Sequence, residues 1–213
     1  MAQYAFHFDS NKCTGCKTCQ VACKETYKLP VNNLYRKVLN YQGGTWELNE
    51  AGSYVPNGVF GYFVSMACNH CVDPACVANC PTGAMQKDEE TGIVWTDHEV
   101  CIGCKTCIEA CPYHAPCYDE QESKTYKCDM CTDRQERGEL PACVAACPGM
   151  NLAVGEMADL EKAHQADIVS DDAVETKPNF VITVDPALSA EPDDTAVEAR
   201  AAELAASKTA KKA

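Results

Sequence analysis

Cys101-Ile-Gly-Cys104-Lys-Thr-Cys107-Ile-Glu-Ala-Cys111-Pro112 reads C-x2-C-x2-C-x3-C-P. Thiolates at that spacing ligate iron–sulfur clusters: three converge on one cluster, and the fourth, followed by proline, reaches toward another. One run therefore predicts a partner run. The chain has three more groups of four: Cys13, Cys16, Cys19 and Cys23; Cys68, Cys71, Cys76 and Cys80; Cys128, Cys131, Cys143 and Cys147. Together they use all but one of the 17 cysteines, leaving Cys117 as a buried or free thiol.

Other uses of cysteine fit less well. Disulfides disagree with an odd cysteine count and with x2 spacings. Zinc sites usually take two C-x2-C pairs separated by a longer loop. Only residues 128–147 have that outline, and there a four-cysteine zinc site stays an alternative. The chain has no Gly-rich nucleotide loop, P-loop or nucleophile elbow. No catalytic residue is expected. Clusters move single electrons, and the substrate chemistry falls to a partner.

The elements that must position these thiols read as follows. Residues 3–8 alternate and carry aromatics, which predicts a strand leading into the first motif. Gly15 suits a tight turn that brings backbone amides toward cluster sulfurs, and the x3 spacing before Cys23 suggests a helical turn. Lys24 stands where the other motifs have proline, so the last cysteine leaves differently. Residues 24–57 are an insertion without cysteine, with hairpin turns expected at Gly43-Gly44 and Asn57-Gly58. Val59–Met66 reads as a buried strand entering the second motif. Asp73-Pro74 makes a turn in that motif's longer middle gap. A short hairpin, with a turn over 87–92 and a strand over 93–96, separates the second and third motifs. The gap 132–142 is polar and reads as a surface loop or short helix. Beyond the last cysteine, strands are expected over 152–155 and 178–184 and a helix over 156–165. From Pro186 onward the chain is Ala-rich and acidic, with too little apolar surface to fold alone.

A formal charge of −13 gives no support to nucleic-acid binding, which wants a basic surface. Lys12, Lys17, Lys24, Lys105 and Lys127 read either as a partial offset to cluster charge or as a solvated surface. His70 and Asp73 read either as turn and surface residues or as groups tuning a cluster. Tyr113 and His114 read as packing, or as neighbours of a cluster that faces a partner. No stretch approaches 18 apolar residues, and residues 1–12 lack a basic segment followed by an apolar run. The expectation is membrane association through partners, on the cytoplasmic face or after export with a signal-bearing subunit.

With these motifs in view, the chain resembles the iron–sulfur (beta) subunit of the dimethyl sulfoxide reductase family of molybdopterin oxidoreductases. The resemblance spans roughly residues 4–185. It is carried by Asp9 to Cys23, Gly43-Gly44 followed by Trp46, Cys68-Asn-His-Cys71-Val-Asp-Pro-Ala-Cys76, Cys101-Ile-Gly-Cys104, Cys111-Pro-Tyr, Lys127-Cys-Asp-Met-Cys131 and Lys177-Pro-Asn. It implies an α+β fold of two pseudo-symmetric bacterial-ferredoxin-like units, each holding two [4Fe-4S] clusters, with an inserted hairpin region and a C-terminal extension. Residues 1–57 with 119–150 would form the first unit and 58–118 the second. Residues 151–185 would pack on the body or a partner, and 186–213 would be a flexible tail.

The resemblance also implies ligand sharing. Cluster 1 would take Cys13, Cys16, Cys19 and Cys147. Cluster 2 would take Cys128, Cys131, Cys143 and Cys23. Cluster 3 would take Cys68, Cys71, Cys76 and Cys111, and cluster 4 Cys101, Cys104, Cys107 and Cys80. The implied function is non-catalytic electron transfer between a membrane quinol-linked subunit, or another donor, and a molybdopterin catalytic subunit. The alternatives are the equivalent subunit of a formate dehydrogenase or hydrogenase complex, or a free soluble polyferredoxin.

Overall fold

The computed structural model describes residues 2–164, 167–168 and 176–183. The tail from Pro186 and the ends of the expected helix over 156–165 and strand over 178–184 lie outside them.

Each C-x3-C spacing is one helical turn. α1 (Thr18–Thr26) buries Cys19 and Cys23, four residues apart on one face. α2 (Ala75–Ala78) carries Cys76, α3 (Thr106–Glu109) carries Cys107, and α5 (Ala142–Ala145) carries Cys143. These three stop after one turn, short of Pro81, Pro112 and Pro148, because proline has no N–H to continue the ladder. Lys24 imposes no such stop, and α1 runs on to Thr26. A further short helix, α4 (Thr132–Glu136), occupies the polar gap of the last motif.

A sheet closes the two ends of the cysteine region together. β1 (Tyr4–Asp9) pairs antiparallel with β8 (Leu152–Glu156) and parallel with β10 (Phe180–Thr183), with β9 (Asp167–Ile168) outside β10. Side chains alternate across a strand, and both faces here are used. Phe6, Phe8, Leu152, Phe180 and Ile182 pack into the main core with the cysteine motifs. Ala5, Ala153 and Val181 face α6 (Met157–His164), where Leu160 is buried against them. The described part of the C-terminal extension therefore packs on the body. It also docks on the second motif: the Val72 and Asp73 amides donate to the carbonyls of Lys177 and Thr176.

Two short hairpins flank the third motif. β4 (Met85–Lys87) pairs with β5 (Val94–Thr96), as expected, and β6 (Cys117–Asp119) pairs with β7 (Lys124–Tyr126).

The long hairpin departs from the sequence reading. β2 (Lys37–Leu48) pairs with β3 (Tyr54–Met66) from Lys37↔Met66 out to Leu48↔Tyr54, and the chain reverses over residues 49–53. Gly43-Gly44 and Asn57-Gly58 are not turns but lie inside the strands, where the register shifts between Gly43 and Thr45. A Cβ on Gly44 would sit 2.4 Å from the Gly58 carbonyl oxygen. Glycine here marks a bulge where two backbones approach closely. Nor is Val59–Met66 a buried strand. Val59 is exposed and burial is complete only at Ser65, because no second layer among the described residues covers the outer ribbon. Trp46, at 61% exposure, is among its bare side chains. Among the described residues no helix is long and apolar enough to cross a membrane.

Candidate iron–sulfur sites

The four sequence groups exchange members in space. One cavity is lined by Cys13, Cys16 and Cys19 from the first motif and by Cys147 from the last. A second is lined by Cys68, Cys71, Cys76 and Cys111. A third is lined by Cys80, Cys101, Cys104 and Cys107. The remaining four, Cys23, Cys128, Cys131 and Cys143, are all buried and lie within one another's electrostatic reach where α1 packs on α5. Among the described residues no three His, Cys, Asp or Glu side chains converge as ligands of a single ion would. A separate cavity of about 770 Å³ between Tyr27, Trp95, Tyr126 and Lys127 is lined by no cysteine.

Local backbone aims donors at these sulfurs. The loops Cys13–Cys19 and Cys101–Cys107 share a left-handed pair, Gly15 and Lys17 in one, Gly103 and Lys105 in the other. Backbone amides of His70, Met85, Met130 and Asn151 donate to Cys68, Cys80, Cys128 and Cys147 at 3.4–3.5 Å. The Thr106 hydroxyl donates to Cys104, and the hydroxyls of Thr18 and Ser65 lie 3.4 Å from Cys16 and Cys19. Thiols with amide and hydroxyl donors around a cavity suit a cluster that carries negative charge on sulfur, so the donor set fits an iron–sulfur group.

Burial divides the thiols. It pushes Cys23 up to about 12, with Cys143 adding to the rise and Arg36 opposing it. It pushes Cys76 up to about 12 and Cys71 to about 11. Cys16 and Cys104 are exposed, and the hydroxyls of Thr18 and Thr106 lower their pKa values. The two groups with every thiol buried are thus Cys23/Cys128/Cys131/Cys143 and Cys68/Cys71/Cys76/Cys111, while each of the other two has a thiol at the surface.

Several side chains lie other than where a surface reading put them. His70 is 0% exposed: its Nδ1 accepts the Val94 amide, and its carbonyl accepts from Gln3 and from Asn179, the latter at 2.5 Å. Burial first, then Lys127, Lys87 and Arg36, hold its pKa well below 6.5, so the ring is neutral. It is therefore not a surface residue, because the C-terminal extension covers it. Lys127 is 5% exposed and donates to the carbonyls of Val94 and Cys128. Asp73 is exposed and pairs with Lys177 at 2.8 Å. The Tyr113 hydroxyl meets that of Thr176, and the His114 carbonyl accepts from Lys37. Cys117 is half-buried, with its thiol donating to the Leu34 carbonyl.

Arg36 was not a candidate in the sequence at all. It is 1% exposed, and Nη1 donates to the Ser65 carbonyl at 3.1 Å and hydroxyl at 3.2 Å. Its guanidinium lies 4.4 Å from the centre of the Phe6 ring. Nε and Nη2 are buried and make no hydrogen bond of ordinary geometry to nitrogen or oxygen. No periodicity or motif singles out one arginine between Tyr35 and Lys37.

Comparison with known proteins agrees with the chemistry. A family described as a 4Fe-4S dicluster domain matches residues 59–157, and one described as a 4Fe-4S binding domain matches residues 4–25. The protein is 44% identical to the B subunit of anaerobic dimethyl sulfoxide reductase from Haemophilus influenzae over 185 residues, covering 85% of its own length and 89% of that protein. It is 46% identical to the B subunit of the same reductase from Escherichia coli K12 over 184 residues, covering 84% and 88%. Hydrogenase-2 operon protein HybA of Escherichia coli O157:H7 is more distant, at 34% identity over 72% of the present sequence and 52% of that one. The sequence motifs, the thiol arrangement and these relatives converge: the polypeptide belongs to the family of iron–sulfur electron-transfer subunits typified by the B subunit of anaerobic dimethyl sulfoxide reductase.

Proposed function

We propose that the protein holds four [4Fe-4S] clusters and passes electrons along them in the order 1, 2, 3, 4 or the reverse. The ligands are Cys13, Cys16, Cys19 and Cys147 for cluster 1 and Cys128, Cys131, Cys143 and Cys23 for cluster 2. They are Cys68, Cys71, Cys76 and Cys111 for cluster 3, and Cys101, Cys104, Cys107 and Cys80 for cluster 4. The observation that carries this is the exchange of last cysteines, which leaves each group with three near-neighbour thiols and one distant one. The order is supported by contacts between neighbouring groups. Arg36 feels Cys143, Cys128 and Cys19, Cys128 feels Cys68, and Met85 and Val94 pack between Cys76 and Cys107.

Two ferredoxin-like units follow from this division, one from residues 1–57 with 119–150 and one from residues 58–118, with 151–185 as the extension. The ends of the relay are clusters 1 and 4, whose groups include the surface thiols Cys16 and Cys104. Relatives named as one lettered component of a reductase imply further subunits. Cluster 1 serves a molybdopterin catalytic subunit, where substrate is reduced, and cluster 4 a membrane-anchored quinol-oxidising subunit.

The test is anaerobic purification with partners, analysis of iron, sulfide, zinc and molybdenum, and the Cys147→Ser variant. Sixteen irons per protomer with a molybdenum-containing large subunit is the expected result. Cys147→Ser perturbs the signal of cluster 1 and spares cluster 2. Loss of cluster 2 instead would refute the exchange, and zinc without sulfide would refute the clusters.

A further inference from the structure

We infer that Arg36 is an electrostatic bridge between clusters 1 and 2, a buried cation that raises both reduction potentials together. The inference rests on the ligand sets proposed above and adds a residue that belongs to neither.

The geometry joins Arg36 to both sites. On one side its Nη1 donates to the Ser65 hydroxyl at 3.2 Å, and that hydroxyl lies 3.4 Å from the Cys19 sulfur. On the other side, the backbone N–H of Arg36 is directed at Cys23, and its guanidinium faces Cys143 and Cys128. Among the described residues, no carboxylate forms a salt bridge with Arg36. Its third face is the Phe6 ring at 4.4 Å.

An arginine keeps its proton under all ordinary conditions. Burying an unpaired cation is costly, and such residues persist where a counter-charge answers them. Here the counter-charge is sulfur: Nε and Nη2 are buried without a nitrogen or oxygen partner, and the sulfurs of Cys143, Cys128 and Cys19 act on the guanidinium. One-electron reduction takes a cluster core from 2+ to 1+, moves no proton and adds one negative charge to the thiolate-bound group. A fixed cation nearby stabilises the reduced form, and low solvent access leaves the attraction little screened. One guanidinium between two sites acts on both. It shifts both potentials in the same direction.

The experiment is an EPR-monitored potentiometric titration of the anaerobically purified complex. The variants are Arg36→Met, Arg36→Lys and Ser65→Ala, with iron and sulfide measured on each. Arg36→Met is expected to lower the midpoints of clusters 1 and 2. Each shift is at least tenfold in the one-electron equilibrium constant, about 59 mV. Clusters 3 and 4 stay close to wild type, and Arg36→Lys restores most of both shifts. Ser65→Ala lowers cluster 1 alone, by less. Full iron with neither midpoint lowered, or with only one lowered, overturns the inference. If Arg36→Met loses iron, Ser65→Ala and Arg36→Lys decide, and an unmoved cluster 1 in Ser65→Ala overturns it. Failure of the underlying reading looks different: wild type would then hold fewer than four spectroscopically distinct clusters.

Discussion

The glycines around the proposed cluster 4 separate backbone strain from steric overlap. Gly103 lies between Cys101 and Cys104 with φ +66°, and a Cβ there would fall 2.1 Å from the Ser123 carbonyl oxygen. Gly83 follows Cys80 with φ +69° and has nothing within 4 Å of its Cβ direction. Alanine at either position costs roughly 1–2 kcal/mol for the left-handed backbone. At Gly103 the obstacle is main chain, which no side-chain rotation relieves. Ser123 sits in the tight β6–β7 turn, where the Asp119 carboxylate accepts the amides of Gln121 and Glu122. Restoring an ordinary 3.4 Å contact from 2.1 Å moves that turn by about 1.3 Å. A forced shift of that kind adds roughly 1–3 kcal/mol.

The totals are about 1.5 kcal/mol for Gly83→Ala and about 3.5 kcal/mol for Gly103→Ala. With a urea slope of about 3 kcal/mol/M, the midpoints fall by about 0.5 M and about 1 M. The assay is anaerobic urea titration of the loaded protein, followed by visible absorbance, with EPR identifying which cluster is lost first. Cluster 4 is lost first in Gly103→Ala. Equal midpoints for the two variants, or earlier loss of cluster 1 in Gly103→Ala, would refute the steric account.

Two further outcomes follow from buried groups. His70 is neutral in the fold because burial and nearby cations depress its pKa below 6.5. The unfolded chain takes up a proton as pH falls through 6.5 and the native chain does not. Stability present above that pH is therefore lost below it, by up to about 1.4 kcal/mol per pH unit. His70→Gln flattens this dependence, read as the urea midpoint against pH, and an unchanged slope would rule His70 out as its source. Lys127 lies between the Cys128 and Cys76 thiol groups, where it favours the thiolates of both. Lys127→Met lowers the midpoints of clusters 2 and 3 by about 59 mV or more and leaves cluster 1 in place. Movement of cluster 1 instead would contradict that placement.

Much of this protein is local and therefore written in the sequence. Cluster ligation needs thiolates at fixed short spacings, so the motifs declare the chemistry without any structure. The x3 gap is one helical turn, and proline after the last cysteine ends that turn, so α2, α3 and α5 are legible in advance. The strands at 4–9 and 152–156 are legible from their aromatic and apolar residues, although β1 buries both faces rather than one.

What the tertiary structure decided was set by distant partners. Gly43-Gly44 looked like a turn because glycine permits one, but Gly58, brought opposite across the ribbon, makes it a bulge. The strand at 59–66 is apolar yet only partly buried, because burial depends on a covering layer that the strand itself cannot announce. His70 and Lys127 are interior because the C-terminal extension and the β4–β5 hairpin close over them. Arg36 has no sequence signature of any kind. A charge becomes a buried bridge only when the first and last motifs and β3 are folded around it, and the sulfur atoms that answer its charge include ones far away in the sequence.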